Sequence, residues 1–122
     1  MSSLTVTNEH YNLVMHENYA VVSYFNIADL PKSVINEVRS HLGTYYANRH
    51  FILINLRKDP VKIDPKFFKS AMPNLIGVAI VASAGYDKET LWKEQQNFKN
   101  SYAYFTSLED AEAWASTHLL QI

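Results

Sequence analysis

Alternation of apolar and polar positions near the start of the chain predicts a β-hairpin. Residues 11–16 and 19–25 are rich in β-branched and aromatic side chains, as strands usually are. The pair Glu17-Asn18 between them suits a tight turn, because Asn tolerates a positive φ. The second run is apolar on both of its faces, so we expect this strand to be covered on both sides of the sheet.

Between residues 31 and 47 the apolar spacing changes from two to about 3.6, which predicts an amphipathic helix. Pro31 falls in its first turn, where a missing N–H is harmless. The predicted apolar stripe consists of Val34, Ile35, Val38, Leu42, Tyr45 and Tyr46. Residues 51–56 and 76–82 are then apolar on both faces, which is typical of parallel strands that lie between helices.

Helix start signals predict two further helices in the second half of the chain. Asp64-Pro65 places an N-cap before a first-turn proline, and Pro73 ends that short helix. Asp87 is positioned to cap a second helix that reaches about residue 98. The inward positions predicted for this second helix are Leu91, Trp92, Gln95 and Phe98.

The last part of the chain predicts a short aromatic strand that leads directly into a capped helix. The strand covers residues 102–105. Two capping boxes fit the start of the helix equally well, Ser107 with Asp110 and Thr106 with Glu109. The predicted apolar face comprises Leu108, Ala111, Trp114, Ala115 and Leu119.

These elements predict one α/β domain over residues 1–122, with the order ββαβαβαβα. A chain of this length fits one compact core, and no repeat or Pro/Gly-rich linker suggests a boundary. We expect a mainly parallel sheet with an antiparallel hairpin at its start.

The element order and the closing pattern Phe105-x-Ser107-x-Glu109-Asp110-Ala111-x-x-Trp114 resemble the SpoIIAA-like domains, which are bacterial relatives of the STAS anti-sigma-factor antagonists. The resemblance implies a SpoIIAA/STAS-like fold and a regulatory role through a protein partner. STAS antagonists are switched by phosphorylation of a serine at the start of the helix after the second buried strand. Here the corresponding residues 57–66 contain neither Ser nor Thr, so the phosphoserine switch is not implied.

Composition and charge exclude several classes of function. Eleven Lys and Arg against twelve Asp and Glu give a net charge of -1, which argues against a nucleic-acid partner. The local basic cluster, Arg57, Lys58, Lys62, Lys66 and Lys69, is interpreted as a solvated face. No apolar stretch approaches the roughly 18 residues of a membrane span, and no secretion signal is visible. Because cysteine is absent, a cytoplasmic location is the expectation.

No residue pattern predicts a catalytic centre, a bound cofactor or a metal site. The five histidines lack ligand spacing, and no serine has a neighbouring base. The best candidate ligand site is the loop with Ser83, Gly85 and Tyr86, because a strand there hands over to a helix. An aromatic group that includes Phe67, Phe68 and Trp92 is the second candidate, as a small apolar pocket or a docking surface.

Three functional hypotheses follow from these patterns. The first is a non-enzymatic interaction or regulatory domain that binds an unknown protein partner, with a homodimer kept as an alternative assembly. The second is a domain that binds a small apolar ligand or lipid near Phe67, Phe68 and Trp92. The third is an enzyme that uses the loop from Ser83 to Asp87; it would need a titratable group beside Ser83.

Overall fold

The computed structural model describes residues 3–25, 30–57, 72–82, 88–97 and 101–119. They contain six strands and three helices. The strands are β1 (Leu4–Thr7), β2 (Tyr11–Met15), β3 (Tyr19–Tyr24), β4 (Phe51–Leu56), β5 (Leu75–Val81) and β6 (Ser101–Phe105). The helices are α1 (Lys32–Tyr45), α2 (Lys88–Asn97) and α3 (Leu108–Leu119).

All six strands form one mixed sheet in which spatial order follows chain order, β1-β2-β3-β4-β5-β6. The pairings of β1 with β2 and of β2 with β3 are antiparallel. The pairings from β3 to β6 are parallel. The described elements thus run βββαββαβα, and the predicted order ββαβαβαβα in a SpoIIAA/STAS-like, mainly parallel sheet is wrong.

The strand that the prediction missed is β1, which precedes the hairpin and makes the antiparallel part a three-stranded meander. Its sequence Leu-Thr-Val-Thr alternates apolar and polar residues, but four residues are the shortest run in which such alternation predicts a strand. Pairing with β2, and not the local sequence alone, makes this segment a strand. The helix predicted from Asp64 to Met72 lies almost entirely outside the described residues.

The predicted hairpin and the first predicted helix are confirmed. β2 and β3 pair antiparallel, and the turn is closed by the His16 N–H, which donates to the Tyr19 carbonyl at 2.8 Å. Helix α1 begins after Pro31, and its buried side chains are Val34, Ile35, Val38 and Leu42. The 3.6-residue spacing of these apolar positions is the reason this segment is helical and packs on one face.

Helix α1 covers one face of the sheet, which we call the α1 face. Its core joins buried side chains of β2 and β3 to those of the helix, and large residues predominate. The largest fully buried members are Tyr11, Leu13, Met15, Val22, Val38, Leu42, Tyr46, Phe51 and Ile80. Tyr46 stacks on Phe51 with ring centroids 4.2 Å apart, and its hydroxyl lies 2.6 Å from the His16 carbonyl oxygen. This bond anchors the end of α1 to the β2–β3 turn.

Helix α3 covers the opposite face, the α3 face, over β4, β5 and β6. The helix begins as one of the two predicted capping boxes requires, because the Asp110 N–H donates to Ser107 Oγ at 3.1 Å. Among the described residues, the buried core of this face consists of Ile52, Ile54, Ala79, Val81, Ala111 and Ala115. The ring centroids of Phe105 and Trp114 lie 5.8 Å apart at the corner between β6 and α3, as their pattern suggested.

Candidate functional site

Of the six residues predicted to form a binding site, the structure describes one. Phe67, Phe68, Ser83, Gly85 and Tyr86 lie outside the described residues. Their proposed proximity therefore stays a prediction. Trp92 is the described member, and it lies on α2.

Trp92 is exposed, so its predicted inward position is wrong. Its exposed fraction is 57%, and Gln95, also predicted inward, is exposed as well. The reason is visible in the spacing: Trp92 falls on one helical stripe with Glu89, Lys93 and Gln96, at positions i, i+3, i+4 and i+7. All of these side chains are exposed, and a 3.7 Å ion pair joins Glu89 to Lys93. A large aromatic side chain thus lies within a polar helix face.

A second candidate region lies at the carboxyl ends of the parallel strands, on the α1 face. Here Tyr24, Asn55 and Arg57 are each at most 6% exposed. Alternation along β4 directs Asn55 and Arg57 to the same side as Leu53, which packs against the core of the α1 face. Arg57 extends the β4 ladder by donating its N–H to the Val81 carbonyl at 2.8 Å. Its assignment to a solvated basic face is wrong.

The electrostatics of this region follow from burial of polar groups. Burial raises the pKa of the Tyr24 hydroxyl, and the positive charge of Arg57 opposes that rise. Asn55 Oδ1 is buried and accepts no hydrogen bond from the residues described. The sequence held one signal for this cluster, because Asn55 interrupts the apolar run of β4 and Arg57 ends it. Charged residues that follow a strand are usually hydrated, so this signal by itself does not predict burial.

A half-open cavity of about 350 Å³ lies near the amino end of β4, at the opposite end of the parallel strands from Tyr24, Asn55 and Arg57. The described residues that line it are mostly apolar: Gly43, Tyr46, Ala47, Phe51, Met72, Pro73 and Asn74. Asn74 shapes the cavity by donating its side-chain amide to the Tyr46 carbonyl at 2.7 Å. Trp92 is not among the described residues that line this cavity, and the predicted pocket members Phe67 and Phe68 lie outside the described residues.

In residues 3–25, 30–57, 72–82, 88–97 and 101–119, no three His, Asp or Glu side chains converge as a metal site requires. None of the helices in these ranges is long and apolar enough to cross a membrane.

The chain matches no model of a known protein family, no curated protein and no solved structure. The resemblance to SpoIIAA-like domains consequently stays a prediction, and the geometry of the described residues is the basis for proposing a function.

Proposed function

We propose that this protein is a non-enzymatic interaction domain that binds a protein partner through the exposed face of α2. The carrying observation is Trp92, whose side chain is 57% exposed. Tryptophan is among the residues most enriched at the energetic centres of protein interfaces, because it buries a large area with few rotatable bonds.

The surroundings of Trp92 suit a protein partner. Glu89, Lys93 and Gln96 supply polar and charged groups of both signs around one aromatic side chain. Interfaces commonly have this arrangement, with an apolar centre and a hydrated polar rim. The absence of Ser and Thr from residues 57–66 argues that such binding is not regulated by the STAS phosphoserine switch. We keep the cytoplasm as the proposed location.

The proposal is tested by purifying the full chain from its native host and identifying proteins retained in constant ratio. The partner is then titrated against wild type, Trp92→Ala and the matched control Gln96→Ala, which truncates a neighbour on the same face. We expect Trp92→Ala to weaken binding by about tenfold or more and Gln96→Ala to change it little. Equal affinity of wild type and Trp92→Ala would refute a binding role for this face.

The cavity beside Gly43 favours a second candidate function, the binding of a small apolar ligand. Its volume of about 350 Å³ falls at the lower end of the range for ligand sites. Native mass spectrometry of the purified protein would detect a retained molecule. If the cavity holds it, Gly43→Phe should expel it while Gly43→Ala keeps it. A molecule that survives Gly43→Phe would be bound elsewhere.

A further inference from the structure

Strand β1 forms an edge of the sheet that lacks the charged residues and prolines by which many edge strands avoid pairing. In the described chain β1 pairs with β2 alone. Residues 3–8, Ser-Leu-Thr-Val-Thr-Asn, contain no charge and no proline. Natural edge strands usually carry such residues because unpaired N–H and C=O groups otherwise recruit another strand. Leu4 is also 49% exposed, so the edge presents apolar surface.

The direction of the free backbone groups follows from the pairing of β1 with β2. The Asn8 N–H donates to the Tyr11 carbonyl at 3.0 Å, and antiparallel hydrogen bonds alternate along the strand. Leu4, Val6 and Asn8 therefore bond to β2, whereas the N–H and C=O groups of Thr5 and Thr7 point outward.

The hydrogen bonds between β2 and β3 agree with this alternation along β1. His16 N–H bonds to Tyr19, and Phe25 N–H bonds to His10, at 2.8 and 3.0 Å. The backbone N–H and C=O groups of the even-numbered residues of β2 thus bond to β3. Those of the odd-numbered residues are left to bond to β1, as the alternation requires.

The apolar side chains of β1 lie on the α1 face. Leu4 is paired with Met15 and Val6 with Leu13, and directly opposite residues share a face. Met15 and Leu13 are fully buried, and Val6 packs partly against the same core. A strand added outside β1 would extend this core over Leu4.

We propose that the occupant of this edge is a second copy of the chain, paired antiparallel through β1 about a two-fold axis at Thr5. In this register the outward backbone groups of Thr5 bond to those of Thr5 in the second copy. Ser3 and Thr7 pair in the same way across the axis. Leu4 lies opposite Val6 of the second copy, so apolar side chains meet on the α1 face.

Register and charge both favour this arrangement over its neighbours. A shift of the axis to Val6 would place Leu4 opposite the polar Asn8, and a shift to Leu4 would leave Val6 without an apolar partner. Because residues 3–8 are uncharged, two identical edges meet without repulsion between like charges. A self-complementary patch of this kind is what a two-fold dimer requires.

The expected dimer is weak, because a four-residue strand buries far less than the roughly 1,600 Å² of a standard interface. Sedimentation of the full chain over a wide range of concentration measures its dissociation constant. Thr5→Pro removes an outward N–H that β2 does not use, which an edge strand tolerates. We expect it to raise the dissociation constant about tenfold or more, since the bond is lost on both copies. Thr5→Val, which retains the N–H, is the matched control.

A charge variant separates loss of pairing from loss of folding. Leu4→Lys brings like charges near the axis and should weaken the dimer, whereas Ser116→Lys, on exposed α3, should not. Circular dichroism and thermal unfolding check that each variant is folded; if Thr5→Pro is not, Leu4→Lys decides. A chain that stays monomeric at every concentration overturns the proposal. So does a dimer that persists in both Thr5→Pro and Leu4→Lys, or one that Ser116→Lys weakens equally.

Discussion

The two faces of the sheet are each covered by one helix, but they pack with side chains of different size. The α1 face buries Tyr11, Tyr46 and Phe51, whereas the α3 face is built around Ala79, Ala111 and Ala115. Large side chains fill the space under α1, and the hydroxyls of Tyr11 and Tyr46 need hydrogen-bond partners there. Small ones allow α3 to approach the backbone of β5 closely, so that Trp114 rests against Gly77.

Each face also carries one hydrogen bond from a strand tyrosine to a helix glutamate. Tyr11 donates to Glu37 of α1 at 2.5 Å, and Tyr19 donates to Glu112 of α3 at 2.7 Å. Tyr11 is fully buried, whereas Tyr19 is half-buried. The α1 face therefore depends on large side chains that fill the space under the helix, and the α3 face on small side chains that let the helix lie close to the sheet. Opposite substitutions should destabilise them.

The largest effect is expected from Phe51→Ala on the α1 face. Phe51 is 1% exposed and stacks on Tyr46, so its removal loses buried apolar surface and leaves a cavity. We expect a loss of about 3–5 kcal/mol in the free energy of unfolding, measured with urea. Phe51→Leu, which keeps most of the volume, is the control and should lose clearly less. Equal losses would mean that ring stacking, and not volume, stabilises this face.

The reverse substitution, Gly77→Val, should damage the α3 face by overfilling it. A Cβ at position 77 would lie 3.4 Å from both Ile52 Cγ1 and Trp114 Cη2, so further methyl groups collide with both. We expect a loss of about 1–3 kcal/mol in urea unfolding. Gly77→Ala should lose much less, because its Cβ meets only van der Waals contact. A fully stable Gly77→Val would show that α3 can move away from β5.

High pH should weaken both faces through their tyrosines. Burial, followed by the hydrogen bond and the negative charge of the glutamate, raises the pKa of Tyr11 and of Tyr19 to about 12. A folded-state pKa above the ordinary 10.0 means that the protonated hydroxyl stabilises the fold. That stability is complete below pH 10 and is lost as the pH rises toward 12.

Comparing urea unfolding at about pH 8 and about pH 11 measures this loss. Tyr11→Phe and Tyr19→Phe should each cost about 1 kcal/mol at the lower pH and make stability less dependent on pH. We expect Tyr11→Phe to have the larger effect, since Tyr11 is fully buried. A pH dependence unchanged in both variants would assign the alkaline loss to other groups.

The smallest effect, and a gain, is expected from Gly43→Ala. Gly43 is an exposed residue of α1, and a Cβ at this position would meet nothing within 4 Å. Alanine should raise the free energy of unfolding by about 0.5–1 kcal/mol, because it has less backbone freedom to lose than glycine. Thermal unfolding of Gly43→Ala beside Gly77→Ala tests the contrast between an open and a packed glycine. A loss of stability in Gly43→Ala would contradict the open space at this position.

Prediction from the sequence was reliable where several side chains repeat one pattern. Four apolar positions of α1 repeat with the helical period and all are buried. Prediction failed for β1, whose four residues include only Leu4 and Val6 as apolar signals. It failed for Trp92 because an aromatic side chain was assumed to be buried, although its spacing places it among polar neighbours.

The candidate surfaces were harder to predict than the elements. Arg57 resembles a hydrated residue at a strand end, yet packing on the α1 face leaves it 5% exposed. The cavity beside Gly43 joins the end of α1 to residues that precede β5, which are separated by about thirty positions in the chain. Local spacing carries no information about such contacts.

The sequence by itself determined where most of the strands and helices form, because hydrophobic period and capping are local properties of the chain. It also determined that β4 and β5 are buried on both faces. Only the tertiary structure decided that the sheet is mixed with β1 at its edge and that Trp92 is exposed. These features depend on which distant segments meet and cover one another, and burial is a property of those contacts and not of the residue alone.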